Sequence, residues 1–103
     1  MNHLIPDMTE IVQRAKNGTE TDIDFLMEML TEETSLAVCK TIDFAIGLVN
    51  NQAGCSRIRY YLFSGNPVQR NYAALYFKRR GNEGILDKAI TLKRIDKEQA
   101  KSQ

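Results

Sequence analysis

The sequence predicts an all-α fold, a compact single-domain bundle of about six antiparallel helices or stacked helix pairs. Three observations carry this. Apolar residues recur at i, i+3, i+4 and i+7 along most of the chain. Capping and breaking residues, among them Asn17-Gly18, Ser64-Gly65, Asn66-Pro67 and Gly81, cut the periodic stretches into helix-length pieces. No segment joins sustained apolar/polar alternation to a hairpin signal.

The first helix follows Pro6 and Asp7, with Met8, Ile11, Val12 and Ala15 on one face and Asn17-Gly18 as its stop. Thr21 is placed to cap the second, where Asp22 and Asp24 meet the positive end of the helix dipole and Ile23, Leu26, Met27 and Leu30 form the inner stripe. A third helix from about Ser35 to Asn51 carries Val38, Cys39, Ile42, Ala45, Ile46 and Val49, flanked by Phe44 and Leu48. Its polar strip, Lys40, Asp43, Gly47 and Asn50, is narrow, which predicts a central helix covered on most sides. Gly54 closes that segment and a short helix from about Ser56 to Phe63 follows.

Asn66 caps the clearest helix, about Pro67 to Arg80, with proline at the first position, where its missing N–H costs nothing. Helical projection sets Val68, Tyr72 and Leu75 inward and leaves Arg70, Asn71, Ala74 and Lys78 as the wedge facing water. A sixth helix spans about Glu83 to Leu92. Asp96 with Gln99 has the form of a capping box for a terminal turn, with Ile95 set to staple onto Ala100.

A chain of 103 residues with 43% apolar and 26% charged residues suits one core, with residues 1–103 forming one domain frayed at roughly 1–6 and 100–103. No apolar run approaches a membrane span and the start lacks a secretory pattern, so a cytoplasmic location without membrane contact is expected. Cys39 and Cys55 read as small buried hydrophobes and not as a disulfide.

Catalysis finds little to build on. His3 is the only histidine and the two cysteines lack metal-ligand spacing, so neither a zinc site nor a Cys–His or Ser–His–Asp set is expected. Asp22, Asp24, Glu28, Glu32 and Glu33 follow a solvated face, and no phosphate-binding glycine loop occurs. The expectation is no enzyme and no cofactor. An enzyme would need a pocket pairing Asp43 with a carboxylate from another helix.

Charge is distributed unevenly. Residues 1–50 hold three Lys/Arg against nine Asp/Glu, a net of −6, and residues 51–103 hold eleven against four, a net of +7. Arg57, Arg59, Arg70, Lys78, Arg79 and Arg80 interleave with tyrosines and phenylalanines. That pattern suits nucleic acid if the rings are exposed. It suits a structural role if the rings pack inside and the arginines ring the core or pair with the acidic half. The same dipole allows a homo-oligomer in which acidic and basic halves meet, or an unknown protein partner, with the Lys40/Asp43/Gly47/Asn50 strip and the Arg70/Ala74/Lys78 wedge as candidate contact surfaces, since Gly47 and Ala74 would let another backbone approach.

Pro67-Val68, Arg70, Ala73-Ala74, Phe77 and Gly81, followed by Gly84-Ile85-Leu86-Asp87-Lys88-Ala89-Ile90, resemble a HEAT-type helix pair over residues 66–90. The resemblance implies a binding scaffold. The block from Gly65 to Gly81 is also similar to small uncharacterised helical proteins of Gram-positive bacteria, some on mobile elements. The leading expectation is a non-catalytic helical protein-interaction module whose working surface is the six basic residues named above. A nucleic-acid-binding accessory protein, of a mobile element, is the alternative, with a small enzyme third.

Overall fold

The computed structural model describes residues 7–95. The expected frayed ends, His3, the Asp96–Gln99 capping box and the Ala100 staple partner lie outside them. Six helices and no strand occur among the described residues: α1 (Met8–Asn17), α2 (Glu20–Met27), α3 (Leu36–Ile46), α4 (Gln52–Ser64), α5 (Pro67–Arg79) and α6 (Glu83–Thr91). Helices α1, α3 and α5 pack side by side in one row and α2 packs on α4 in a second. The two rows join through α1–α2, α2–α3 and α4–α5 contacts, and α6 packs on α5.

Local chemistry accounts for the boundaries. Asp7 accepts a hydrogen bond from the Glu10 N–H (2.9 Å) to start α1, and Gly18, at φ 64°, ends it in the left-handed region that glycine enters without strain. The cap of α2 is Thr19 and not Thr21: its hydroxyl accepts from the Asp22 N–H while Asp22 accepts from the Thr19 N–H, a reciprocal capping box. Thr21-x-x-Asp24 offered the same spacing. It loses because Asp24 instead receives Arg57 and Tyr61 from α4.

Helix α3 stops at Ile46, earlier than its apolar pattern predicts. Leu48 and Val49 donate back to Ala45 and Ile46 in tight i→i−3 turns that keep Val49 in the core. The freed chain starts α4 at Gln52, earlier than predicted. Gly54, expected as a breaker, lies within the first turn of α4, where a Cβ would stand 2.4 Å from Val49 Cγ1 and 3.1 Å from the Gly18 carbonyl oxygen. Close approach of three segments, not chain reversal, requires glycine there.

Asn66 and Gln69 form the capping box of α5, with Pro67 at its first turn. One core joins all six helices, from Ile11 and Ala15 through Leu26, Ile42 and Ile58 to Tyr76 and Leu86. The water-facing wedge predicted for α5 needs correction: Ala74 is fully buried, and Arg70, Asn71 and Lys78 are half-buried. With neighbours α3, α4 and α6, this helix has little free surface, so a single-helix projection misplaces its outer face. Asp22, placed on a solvated face by the sequence, is buried in its capping box and paired with Arg14 (3.3 Å).

Candidate functional site

The basic residues of the C-terminal half are largely occupied in closing the fold. Arg57 on α4 reaches α2, its Nε 2.7 Å from Asp24 Oδ1 and its Nη2 3.3 Å from Oδ2, while the Tyr61 hydroxyl donates to Oδ1 at 2.7 Å. Burial pushes the Asp24 carboxyl up, but the hydrogen bonds from Arg57 and Tyr61 outweigh it and hold the group below the usual carboxylate range. Burial, with the Asp24 carboxylate beside it, raises the Tyr61 phenol to about 12.

Arg79 grips Asp43 of α3 with two hydrogen bonds, 2.9 and 2.7 Å. Arg80 donates to the carbonyls of Val49 and Gly47, and its guanidinium lies 4.3 Å from the Tyr76 ring centroid. Arg70 donates to the Gly65 carbonyl (2.7 Å) and the Arg94 carbonyl (2.9 Å). Arg59 is exposed, 6.0 Å from the Phe63 ring centroid. Arg70 and Arg79 stand at opposite ends of α5, roughly 14 Å apart along its axis. The six residues are thus spread over α4 and both ends of α5.

A common pattern runs through these contacts, because a helix leaves its last carbonyls without intrahelical partners. Asn51 donates to the Gly18 carbonyl after α1 (2.9 Å). Gln69 and Asn66 donate to the Met27 and Leu30 carbonyls at the end of α2 (2.8 and 3.0 Å). Arg80 and Tyr76 serve the turn after α3, and Arg70 serves the end of α4. Among the described residues, no buried side-chain nitrogen or oxygen lacks a hydrogen-bond partner.

The aromatic rings follow the same logic. Tyr76 is buried, its hydroxyl donating to the Val49 carbonyl (2.8 Å) beside Cys55 Sγ (2.9 Å), and burial drives its phenol well above the ordinary value. Tyr61 is buried against Asp24. Tyr60 is half-exposed, but Arg57 stacks 4.2 Å from its ring centroid. Cys39 and Cys55 are free thiols, and burial pushes Cys39 up.

An unclosed surface remains on α3. Leu36 (65% exposed), Lys40, Phe44 (55%) and Leu48 (41%) follow one another at four-residue spacing as exposed positions, a stripe that drifts about 40° round the axis at each step, with Leu48 in the turn beyond the helix end at Ile46 and exposed Ala37 and Gly47 beside it. The sequence predicted α3 to be covered on most sides. The apolar richness of the whole helix conceals this stripe, because an exposed leucine and a core-facing leucine read alike in one sequence.

Beside the stripe, between α3 and α5, runs a shallow groove of about 630 Å³. Tyr72 and Leu75 line its α5 side, Lys40 and Phe44 its α3 side, and the Asp43–Arg79 pair also borders it. Burial raises the Tyr72 phenol, with Cys39 and Asp43 adding to the effect. Asp43 meets a guanidinium from α5 here, not the second carboxylate that acid–base chemistry would need. The groove can seat an apolar side chain against Tyr72 and Leu75 and offers hydrogen-bonding groups at its edges.

Among the described residues, no three His, Cys, Asp or Glu side chains gather as metal ligands, and no helix is long and apolar enough to cross a membrane. In comparisons with known proteins, no family model, no curated protein and no solved structure matches this chain.

Proposed function

We propose that this chain is a non-catalytic helical protein-interaction module, working in the cytoplasm, whose contact surface is the exposed face of α3 with the adjoining α3–α5 groove. The observation that carries this reading is the exposure of Leu36, Phe44 and Leu48 on and just after α3, beside the α3–α5 groove. The largest apolar patch on a monomer, typically about 300–600 Å², is often functional. The two-row packing supports it further, since rows of stacked helices commonly bind along one row, and the HEAT-like helix pair implies the same use. Two free thiols fit a reducing compartment.

Relative to the sequence-level expectation, the working surface moves from the basic residues to α3. A nucleic-acid surface would combine free cations with open ring faces, whereas Arg57, Arg70 and Arg79 are engaged within the chain and the Tyr60 ring carries a guanidinium group.

The test is a photo-crosslinking residue at position 44 or position 59, activated in the native host, together with anisotropy titrations of labelled DNA and RNA. Protein adducts from position 44 and no salt-sensitive nucleic-acid binding at micromolar protein are expected. Nucleic-acid adducts at position 59, or tight binding that collapses with salt, would overturn the reading.

A further inference from the structure

We infer that the occupant of the α3 face is a second copy of this chain, docked antiparallel about a two-fold axis opposite residue 42. This rests on the interaction-module reading and names its partner. The argument starts from the spacing of the exposed residues. An antiparallel helix pair centred at the level of residue 42 sets Lys40 against the Phe44 ring of the other copy and the Leu36–Ala37 start of one α3 against the Gly47–Leu48 turn that follows the other. Large apolar meets large apolar, small meets small and lets the axes approach to about 8–10 Å, and a cation meets a π face. A parallel pairing would instead stack Lys40 on Lys40.

Charge selects the same arrangement. The chain entering α3 carries exposed Glu32 and Glu33, and the chain leaving it carries the exposed Arg80 guanidinium, hydrogen-bonded to the Gly47 and Val49 carbonyls. None of these three has an ion-pair partner of its own among the described residues. Antiparallel docking brings the acidic entrance of one copy to the basic exit of the other, twice by symmetry. Near the axis, Lys40 comes alongside Asp43 of the second copy. The opposed charges of the two sequence halves thus meet across the interface, and a two-fold contact of this kind closes without propagating.

The area sets the strength. The exposed parts of Leu36, Phe44 and Leu48 amount to roughly 350 Å² of apolar surface per copy, a patch of the size found at contact sites on small monomers. A standard interface buries roughly 800 Å² of total surface per partner, so a contact built around this small patch is weak and concentration-dependent.

Sedimentation equilibrium of the full chain from about 5 to 500 μM reads this out. The weight-average mass is expected to rise from 11.7 kDa towards twice that value. Phe44→Glu is expected to stay monomeric throughout with an unchanged melting temperature, since its ring contributes little to the core. Glu32→Lys/Glu33→Lys is expected to weaken the dimer about tenfold at low salt, with the difference shrinking in about 0.5 M NaCl.

Register is tested in a Cys39→Ala/Cys55→Ser background whose folding is checked by circular dichroism. Leu36→Cys mixed with Leu48→Cys is expected to cross-link under mild oxidation, while Leu36→Cys alone, with its two copies roughly 18 Å apart along the axis, is expected not to. A wild-type chain that stays monomeric to 500 μM, a dimer that survives Phe44→Glu, or cross-linking of Leu36→Cys with itself would each overturn the inference. If the chain is monomeric but position 44 still yields adducts with another protein, the second copy is wrong and the interaction module stands. If neither dimer nor adduct forms, both fall.

Discussion

Replacing Gln69 removes a double link between α5 and α2, and the structure lets its cost be worked out. Gln69 is buried. Its Oε1 accepts from the Asn66 N–H (2.8 Å) and its Nε2 donates to the Met27 carbonyl (2.8 Å), the residue at which α2 ends. In Gln69→Ala a backbone donor and a backbone acceptor both lose their partner in the interior, each worth about 1–1.5 kcal/mol, and the loss is expected to reach about 2–3 kcal/mol. At about 4–8 °C per kcal/mol for a domain of this size, the melting temperature should fall by about 8–24 °C.

Gln69→Glu dissects the pair. The carboxylate still accepts from Asn66 but sets a negative charge against the Met27 carbonyl, so at pH 7 this variant should be at least as unstable as Gln69→Ala. Protonation restores a donor. The introduced carboxyl therefore has a folded-state pKa above its unfolded value, and the variant's deficit should shrink as the pH falls through that raised pKa. Urea unfolding followed by circular dichroism at pH 7 and pH 4.5 measures both effects. A loss below about 0.5 kcal/mol in Gln69→Ala would refute the view that side chains from α5 close the end of α2.

Other predictions follow from the same contacts. Arg57→Ala should cost about 1 kcal/mol in urea unfolding, because it frees a partly buried Asp24, whereas Arg59→Ala should stay within about 0.5 kcal/mol. Asp22, lowered by its hydrogen bond from Thr19 against the opposing effect of burial, and Asp24, lowered as described above, have folded pKa values below their unfolded values. They contribute stability above the ordinary carboxylate pKa of 3.8 that is lost as the pH falls through their lower folded values, and Asp24→Asn should flatten that part of the acid-unfolding curve. At high pH the sign reverses: Tyr61, raised from 10 to about 12, stabilises the fold below pH 10 and loses that contribution between pH 10 and 12, which phenolate absorbance and circular dichroism will track together. Gly54→Ala should destabilise by about 1–3 kcal/mol through its clash with Val49, while Gly84→Ala, with nothing within 4 Å of the new methyl, should stabilise α6 by up to about 1 kcal/mol in thermal melts.

Helix identity was legible because it depends on local signals. Ile11 and Ala15, Ile23 and Leu26, and Asn66-Pro67 each state a face or a start within a few residues, and the structure uses them as read. What failed were features decided by distant neighbours. Thr19 and Thr21 offer equal caps until Arg57 takes Asp24, and Ala74 looks solvent-facing until the helices packed around α5 close over it. The basic residues show the same limit. Arginine beside tyrosine has one composition whether it stands free or is bonded within the chain, and only Val49, Gly47, Asp24 and Asp43 in position show Arg57, Arg79 and Arg80 bonded. The capping role of Gln69 was within reach, since Asn66-x-x-Gln69 before an apolar run is the spacing of a capping box. On α3 the exposed Lys40 and Gly47 lie on the polar strip that the sequence marks as a candidate contact surface, whereas nothing in Leu36 or Phe44 distinguishes a core position from an exposed one.

The most direct test of the α3 face as the surface on which two copies meet is a set of ¹⁵N amide spectra of the wild-type chain recorded at about 20 μM and about 600 μM. Chemical-shift changes confined to residues 32–48 and to the Arg79–Arg80 end of α5, and absent in Phe44→Glu, are predicted. Identical spectra, or changes centred on Arg57 and Arg59 of α4, would contradict it.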